Sequence, residues 1–224
     1  MNLMPFSRRC LLSGLAAAAL ASIAPASWAN GLDSLERFIQ TARSGRAAFT
    51  QVVTAPPKEG QAARSKSSSG TFEFQRPGRF RFLYRKPFEQ SIVADGQTLW
   101  LHDVDLNQVT ARQQAKVLGA TPAALVASAT DLKALQADFT LQAAPDRDGL
   151  QWVVAAPRSR DGQLQSVRVG FRSSDKGPEL ASLDILDSFG QRSVLSFTGF
   201  ELNPILSADT FQFKPPAGAD VVRQ

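Results

Sequence analysis

The chain has 224 residues, 43% of them hydrophobic and 20% charged, with 15 Gly, 13 Pro and one Cys. That hydrophobic share excludes a disordered chain, and the Gly and Pro counts exclude a fibrous one; the length fits one globular domain with room for a cavity. The net charge of +5 includes Arg8 and Arg9 near the N-terminus, and acids interleave with the other bases, which argues against a nucleic-acid binder.

Arg8 and Arg9 precede an apolar run from Leu11 to Ala24, then Pro25-Ala26-Ser27-Trp28-Ala29. The run is shorter than the roughly 20 residues a spanning helix needs. Small residues at Ser27 and Ala29 suit a cut after Ala29, so residues 1–29 read as a signal peptide and residues 30–224 as one exported, untethered domain. Ser7-Arg8-Arg9-Cys10 fits a twin-arginine signal as well as an ordinary Sec signal. Cys10 lacks the small and apolar neighbours of a lipidation site. Since Cys10 is the only cysteine, processing leaves no disulfide, thiolate metal site or cysteine nucleophile.

Leu32, Leu35, Phe38, Ile39 and Ala42 recur at helical spacing, with Asp33 and Glu36 early and Arg43 late, and Ser44-Gly45 ends the helix. Residues 46–53 read as a strand and 54–68 as a polar loop carrying Lys58, Arg64 and Lys66. Residues 70–75 and 79–84 alternate cleanly around the turn Arg76-Pro77-Gly78, and Asp95-Gly96 joins strands at 91–94 and 98–102. Thr121-Pro122 starts a helix over 121–128 and residues 131–135 a second. Strand patterns return at 139–143, 151–155, 166–171, 180–186, 193–200 and 211–214. About ten short strands with a helical insertion predict one large antiparallel sheet curled over its apolar face.

Fifteen phenylalanines are present, and Phe6 alone falls in the leader. Period-two alternation puts Phe72, Phe74, Phe80 and Phe82 on one face of two neighbouring strands. They are either plain core or the lining of a lipid-sized cavity. His102, the only histidine, stands at a strand end beside Asp103 and Asp105 and reads as a solvated or structural residue. One histidine without cysteine does not build a zinc site unaided, and no Gly-x-Ser-x-Gly elbow, P-loop or dinucleotide fingerprint occurs. Glu89, Asp95, Asp184 and Asp187 read as surface groups. Nothing here calls for a cofactor, a metal or catalysis.

Three segments carry a resemblance. Gly70-Thr71-Phe72-Glu73-Phe74-Gln75-Arg76-Pro77-Gly78-Arg79-Phe80, Ser91-Ile92-Val93-Ala94-Asp95-Gly96-Gln97-Thr98-Leu99-Trp100 and the ending from Phe211 to Val221 resemble the outer-membrane lipoprotein carrier protein family. The resemblance implies a mainly β fold: an unclosed antiparallel β-barrel of about eleven strands, covered by short α-helices that form a lid. It implies a periplasmic monomer that takes lipoproteins from an ATP-driven releasing complex of the inner membrane to an acceptor at the outer membrane. The acyl chains would lie against Phe72, Phe74, Phe80, Phe82, Tyr84, Trp100, Leu125 and Val126. Arg76 would latch the lid shut through backbone hydrogen bonds. A periplasmic lipid-binding or envelope-stress sensor module of related half-barrel fold is the alternative. A tethered acceptor lacks its lipobox cysteine here, and a lipid hydrolase stands third.

Overall fold

The computed structural model describes residues 30–57, 60–117, 122, 124–159 and 162–224. Helix α1 spans Gly31–Thr41. Strands β1 (Ser44–Thr54), β2 (Ser65–Gln75), β3 (Arg79–Lys86), β4 (Gln90–Ala94), β5 (Thr98–Asp103) and β6 (Gln108–Gln113) follow. Then come α2 (Gln114–Val117), a π-helical turn (Ala124–Ser128) and α3 (Leu132–Asp138). Strands β7 (Phe139–Arg147), β8 (Leu150–Pro157), β9 (Leu164–Ser174), β10 (Gly177–Asp187) and β11 (Arg192–Leu202) lead to a 3-10 turn (Ala208–Phe211) and β12 (Asp220–Arg223).

The described strands form one twelve-stranded sheet in the order β12-β6-β5-β4-β3-β2-β1-β11-β10-β9-β8-β7. It is open, with β12 and β7 as its two edges. The hairpin-linked strands β1 to β6 and β7 to β11 pair antiparallel with their chain neighbours, β1 pairs antiparallel with β11, and β12 on β6 is parallel. At the β7–β8 hairpin, Asp148 and Gly149 both adopt positive φ (56° and 72°), the backbone that matches a tight turn to strand twist.

Side-chain alternation sorts the sheet into two faces. Ala47, Phe72 and Phe82 share one cross-strand row, and Phe74 pairs with Phe80. This inner face continues through Phe197, Leu183, Val169 and Val153 into a single buried cluster. Helix α1 closes over its β7–β10 half, contacting β7, β8, β9 and β10. Asn30 caps that helix, its side-chain oxygen accepting from the amides of Leu32 (2.8 Å) and Asp33 (3.1 Å), while the Asp33 carboxylate accepts from the Asn30 amide. Leu35, Phe38 and Ile39, at i, i+3 and i+4, are its buried apolar side chains, beside Gly31 and Ser34.

Several boundaries differ from the sequence expectation. The helix ends at Thr41 because the chain turns extended at Ala42, and Ser44-Gly45 opens β1. The polar run Ser65–Ser69 is strand, held by pairing with residues 50–54 of β1, so the loop narrows to residues 55–64. Residues 211–214 are not a strand; Phe211 ends a 3-10 turn, Gln212 caps it, and the last pairing forms at β12 instead. Residues 124–128 form a π turn, and the expected cap Thr121 lies outside the described residues. The second inserted helix is capped by Asp131, whose carboxylate accepts from the Ala134 amide at 2.7 Å. Arg158 closes its other end, donating from Nε to the Gln136 carbonyl at 2.8 Å. Among the described residues, no helix is long and apolar enough to cross a membrane.

Candidate functional site

The inner face between β1 and β4 is paved with aromatic rings. Phe72 stacks on Phe82 at 4.4 Å, Phe49 meets Tyr84 edge-on at 5.0 Å, and Phe72 meets Phe197 at 5.5 Å. Phe38 of α1 reaches Phe171 at 5.3 Å and Phe74 at 6.0 Å from above. These spacings are those of packed aromatic pairs. Leu125 and Val126 of the π turn are buried in the same cluster. The sheet therefore meets α1 ring to ring and meets the π turn through the aliphatic Leu125 and Val126. Admitting a second apolar body would require the covers to move away. Burial also pushes the Tyr84 phenol up to about 12, so it stays neutral.

Arg76, in the β2–β3 turn, joins the sheet to both covers. Its Nε donates to the carbonyl of Ala42 at 2.8 Å, and Ala42 caps the C-terminus of α1, where a cation also suits the helix dipole. Its Nη1 donates to the carbonyl of Ala129, just past the π turn. The guanidinium lies 5.6 Å from the Phe38 ring centre and 5.8 Å from that of Phe74, within cation–π range. Burial pushes its pKa down to about 10, which leaves it cationic at neutral pH. Two residues later, the Gly78 amide donates to the Ala127 carbonyl at 2.9 Å.

Gln114 carries part of this junction and escaped the sequence reading. It is buried; its Nε2 donates to the Gly78 carbonyl at 2.7 Å, and its Oε1 accepts from the Gly96 amide at 3.0 Å. It thus braces the latch turn against the β4–β5 hairpin. A glutamine in a polar stretch gives no local sign of such a role. Phe38, Phe49, Phe171 and Phe197 were likewise not singled out as site residues. Their signal was available, because each falls on the apolar face of its own helix or strand.

Seven of the eight expected lining residues share the inner face: Phe72, Phe74, Phe80, Phe82, Tyr84, Leu125 and Val126. Trp100 does not. Ala94 pairs with both Phe80 and Leu99, so Leu99 faces inward and Trp100 outward. On the outer face Trp100 meets Phe213 at 5.4 Å and donates from Nε1 to the Asp95 carboxylate at 2.8 Å. Burial alone would raise the Asp95 carboxyl, but hydrogen bonds from the Thr98 amide, the Trp100 indole and the Gln97 amide outweigh it and hold it below its usual value. His102 also meets Phe213 on this side, at 5.7 Å.

The outer face holds the buried charges. Glu73 of β2, 6% exposed, accepts from Arg46 of β1 at 2.9 Å and from Nε of Arg81 of β3 at 3.0 Å. Asp184, expected at the surface, is buried. Arg192 grips both of its oxygens at 2.8 and 2.7 Å; the strand pairing of β10 with β11 sets this geometry. Among the described residues no group of three or more His, Cys, Asp or Glu side chains stands close enough to hold a metal.

The comparisons with known proteins agree with this architecture. The family described as outer membrane lipoprotein carrier protein LolA matches residues 40–214. The outer-membrane lipoprotein carrier protein of Albidiferax ferrireducens is 71% identical over 205 residues, covering 92% of this chain and 96% of that protein. Its counterpart in Methylibium petroleiphilum is 55% identical over 207 residues, with 92% and 96% covered. A DUF1329 family protein of Desulfovibrio piger shares the fold alone, with a TM-score of 0.51, 10% identity, and 81% and 95% of the two chains covered. A match across most of the chain, at identities this high, decides the matter: the protein belongs to the outer-membrane lipoprotein carrier protein family.

Proposed function

We propose that this protein is a periplasmic carrier of outer-membrane lipoproteins, which holds their acyl chains against the ring-paved inner face under α1 and the π turn. The observation that carries the reading is the Arg76 latch, one side chain bonded to both covers at once. Phe72, Phe74, Phe80, Phe82, Tyr84, Leu125 and Val126 line the space that opens when the latch yields. Trp100, on the outer face, takes no part. Residues 1–29 direct export and are removed after Ala29. The carrier works as a monomer with no reaction and no cofactor of its own. It receives cargo from an ATP-driven releasing complex of the inner membrane and passes it to an acceptor at the outer membrane.

Energetics explain why a latch is needed. Burying acyl chains gains about 0.8 kcal/mol per CH₂, so three long chains taken from water would exceed the roughly 18–21 kcal/mol ceiling of non-covalent binding. The relevant exchange is from one apolar environment to another, where these gains nearly cancel. A few hydrogen bonds at the lid then decide between holding and release. The test is a release assay with residues 30–224 and spheroplasts containing a labelled lipoprotein. Label should appear in the supernatant in a one-to-one complex with the protein. Label that stays in the membrane under conditions where a known carrier releases it would refute the reading.

A further inference from the structure

We infer that Arg76 and Ser128 form a carbonyl-reading site at the lid junction, which takes the ester or amide oxygens at the head of an acylated ligand. The inference rests on the carrier reading and extends it from the chains of the ligand to its polar end.

Among the described residues, the buried side-chain polar atoms with no hydrogen-bond partner are Nη2 of Arg76 and Oγ of Ser128. Both belong to one junction, since Arg76 bonds the carbonyl of Ala129, the neighbour of Ser128. Other buried polar side chains are paired: Glu73 with Arg46, Gln114 with Gly78, Ser182 with the Leu195 carbonyl, and Asp184 with Arg192. Buried donors without acceptors are costly, and native proteins keep few of them. Here one belongs to the latch side chain and the other to the residue next to the carbonyl that the latch holds, where the lid parts from the sheet.

Opening adds to the demand. When Ala129 moves off, Nη1 also loses its acceptor, and a cation is left beside the rings of Phe38 and Phe74. Acyl chains alone cannot satisfy it. The carbonyl oxygens where the chains join their headgroup can, and a bond from a charged donor is the stronger kind. A phosphate would bring more acceptors and more charge than one guanidinium edge and one hydroxyl can meet. The ligand carbonyl thus replaces the lid carbonyl, and an incoming acyl ester or amide favours the open state.

The experiment compares dioleoylglycerol with its ether-linked twin, which has the same chains and lacks the carbonyls. Each is extracted from phosphatidylcholine vesicles by residues 30–224. The unaltered protein should favour the ester about tenfold, the effect of one hydrogen bond to a charged group. Ser128→Ala, which leaves the latch in place, should reduce that ratio, and Arg76→Leu should bring it to one. The ratio is insensitive to a general change in lid stability, which affects both lipids alike. An isotope-labelled ester carbonyl should shift to lower infrared frequency in the complex with the unaltered protein and not with Arg76→Leu. Equal extraction of ester and ether by the unaltered protein overturns the carbonyl site and leaves the carrier standing. Extraction of neither overturns the carrier reading and this inference together.

Discussion

The amide of Gly78 donates to the carbonyl of Ala127 at 2.9 Å, two residues from where Arg76 takes the carbonyl of Ala129. The β2–β3 turn therefore grips the lid segment twice, once through its backbone and once through a side chain. The backbone bond survives any substitution of Arg76, so the lid can be weakened in steps. The Arg76–Ala42 bond gives the same turn a hold on α1. Both covers are tied to one point of the sheet, and movement of that point can release both.

Arg76→Leu removes two charge-assisted bonds and leaves the carbonyls of Ala42 and Ala129 without their donor. Stability should fall by about 2 kcal/mol, measured by urea unfolding, while the circular dichroism spectrum of the sheet is kept. The lid should open more often, read as increased binding of an environment-sensitive apolar dye. Onward delivery of a loaded lipoprotein should slow, because the closed, empty state that favours release is weakened. Delivery at the ordinary rate by a folded variant would remove Arg76 from the latch.

Phe82→Glu puts a carboxylate among Phe49, Phe72 and Phe80, whose ring centres lie 5.6, 4.4 and 6.1 Å away. The rings it would face are apolar, and Arg76 is engaged over Phe38 and Phe74, so an ionised carboxylate there would face apolar chains unpaired. Loading in the spheroplast assay should be abolished. Phe82→Leu, which keeps the face apolar, should load and serves as the control for folding. Loading by the glutamate variant would mean that cargo uses another part of the inner face.

Much of this was legible in the sequence, and the limits have physical causes. Strict alternation over 70–75 and 79–84 marked the two strands that hold Phe72, Phe74, Phe80 and Phe82, and these four do share a face. Trp100 enters the lining only through the resemblance, whereas the register through Ala94 turns Leu99 inward and Trp100 outward. Counting outward from the Asp95-Gly96 turn would have shown it. The pairing of β12 with β6 is parallel and crosses most of the sheet, so no local turn announces it. Gln114 and Asp184 were unreadable for another reason: their partners, Gly78 and Arg192, are brought to them by the fold, and polar residues taken singly read as surface.

Tyr84 is the only tyrosine of the chain, so its titration can be followed by absorbance without interference from another phenol. Burial raises it to about 12, against about 10 when unfolded. The folded protein then holds this proton more tightly than the unfolded chain. Its contribution to stability is complete below pH 10 and is lost as pH rises through 12. The phenolate band should appear near pH 12 in the folded protein and near pH 10 in urea. Tyr84→Phe should remove the band and reduce the alkaline loss of stability. A folded-state midpoint near 10 would place Tyr84 in contact with water.

Glu73 gives the matching test on the outer face. Its carboxylate is 8% exposed as a side chain and lies between Arg46 and Arg81, which are 43% and 27% exposed. Breaking a fully buried pair costs about 3–5 kcal/mol, but both arginines here can turn towards water. Glu73→Ala should therefore cost about 2 kcal/mol in urea unfolding, and added salt should recover part of it by screening the two arginines from each other. Lipid loading should be unchanged, because alternation puts Glu73 on the opposite face from Phe72 and Phe74. A variant as stable as the unaltered protein but unable to load would assign the outer face a part in transfer and confine Phe72 and Phe74 to the core.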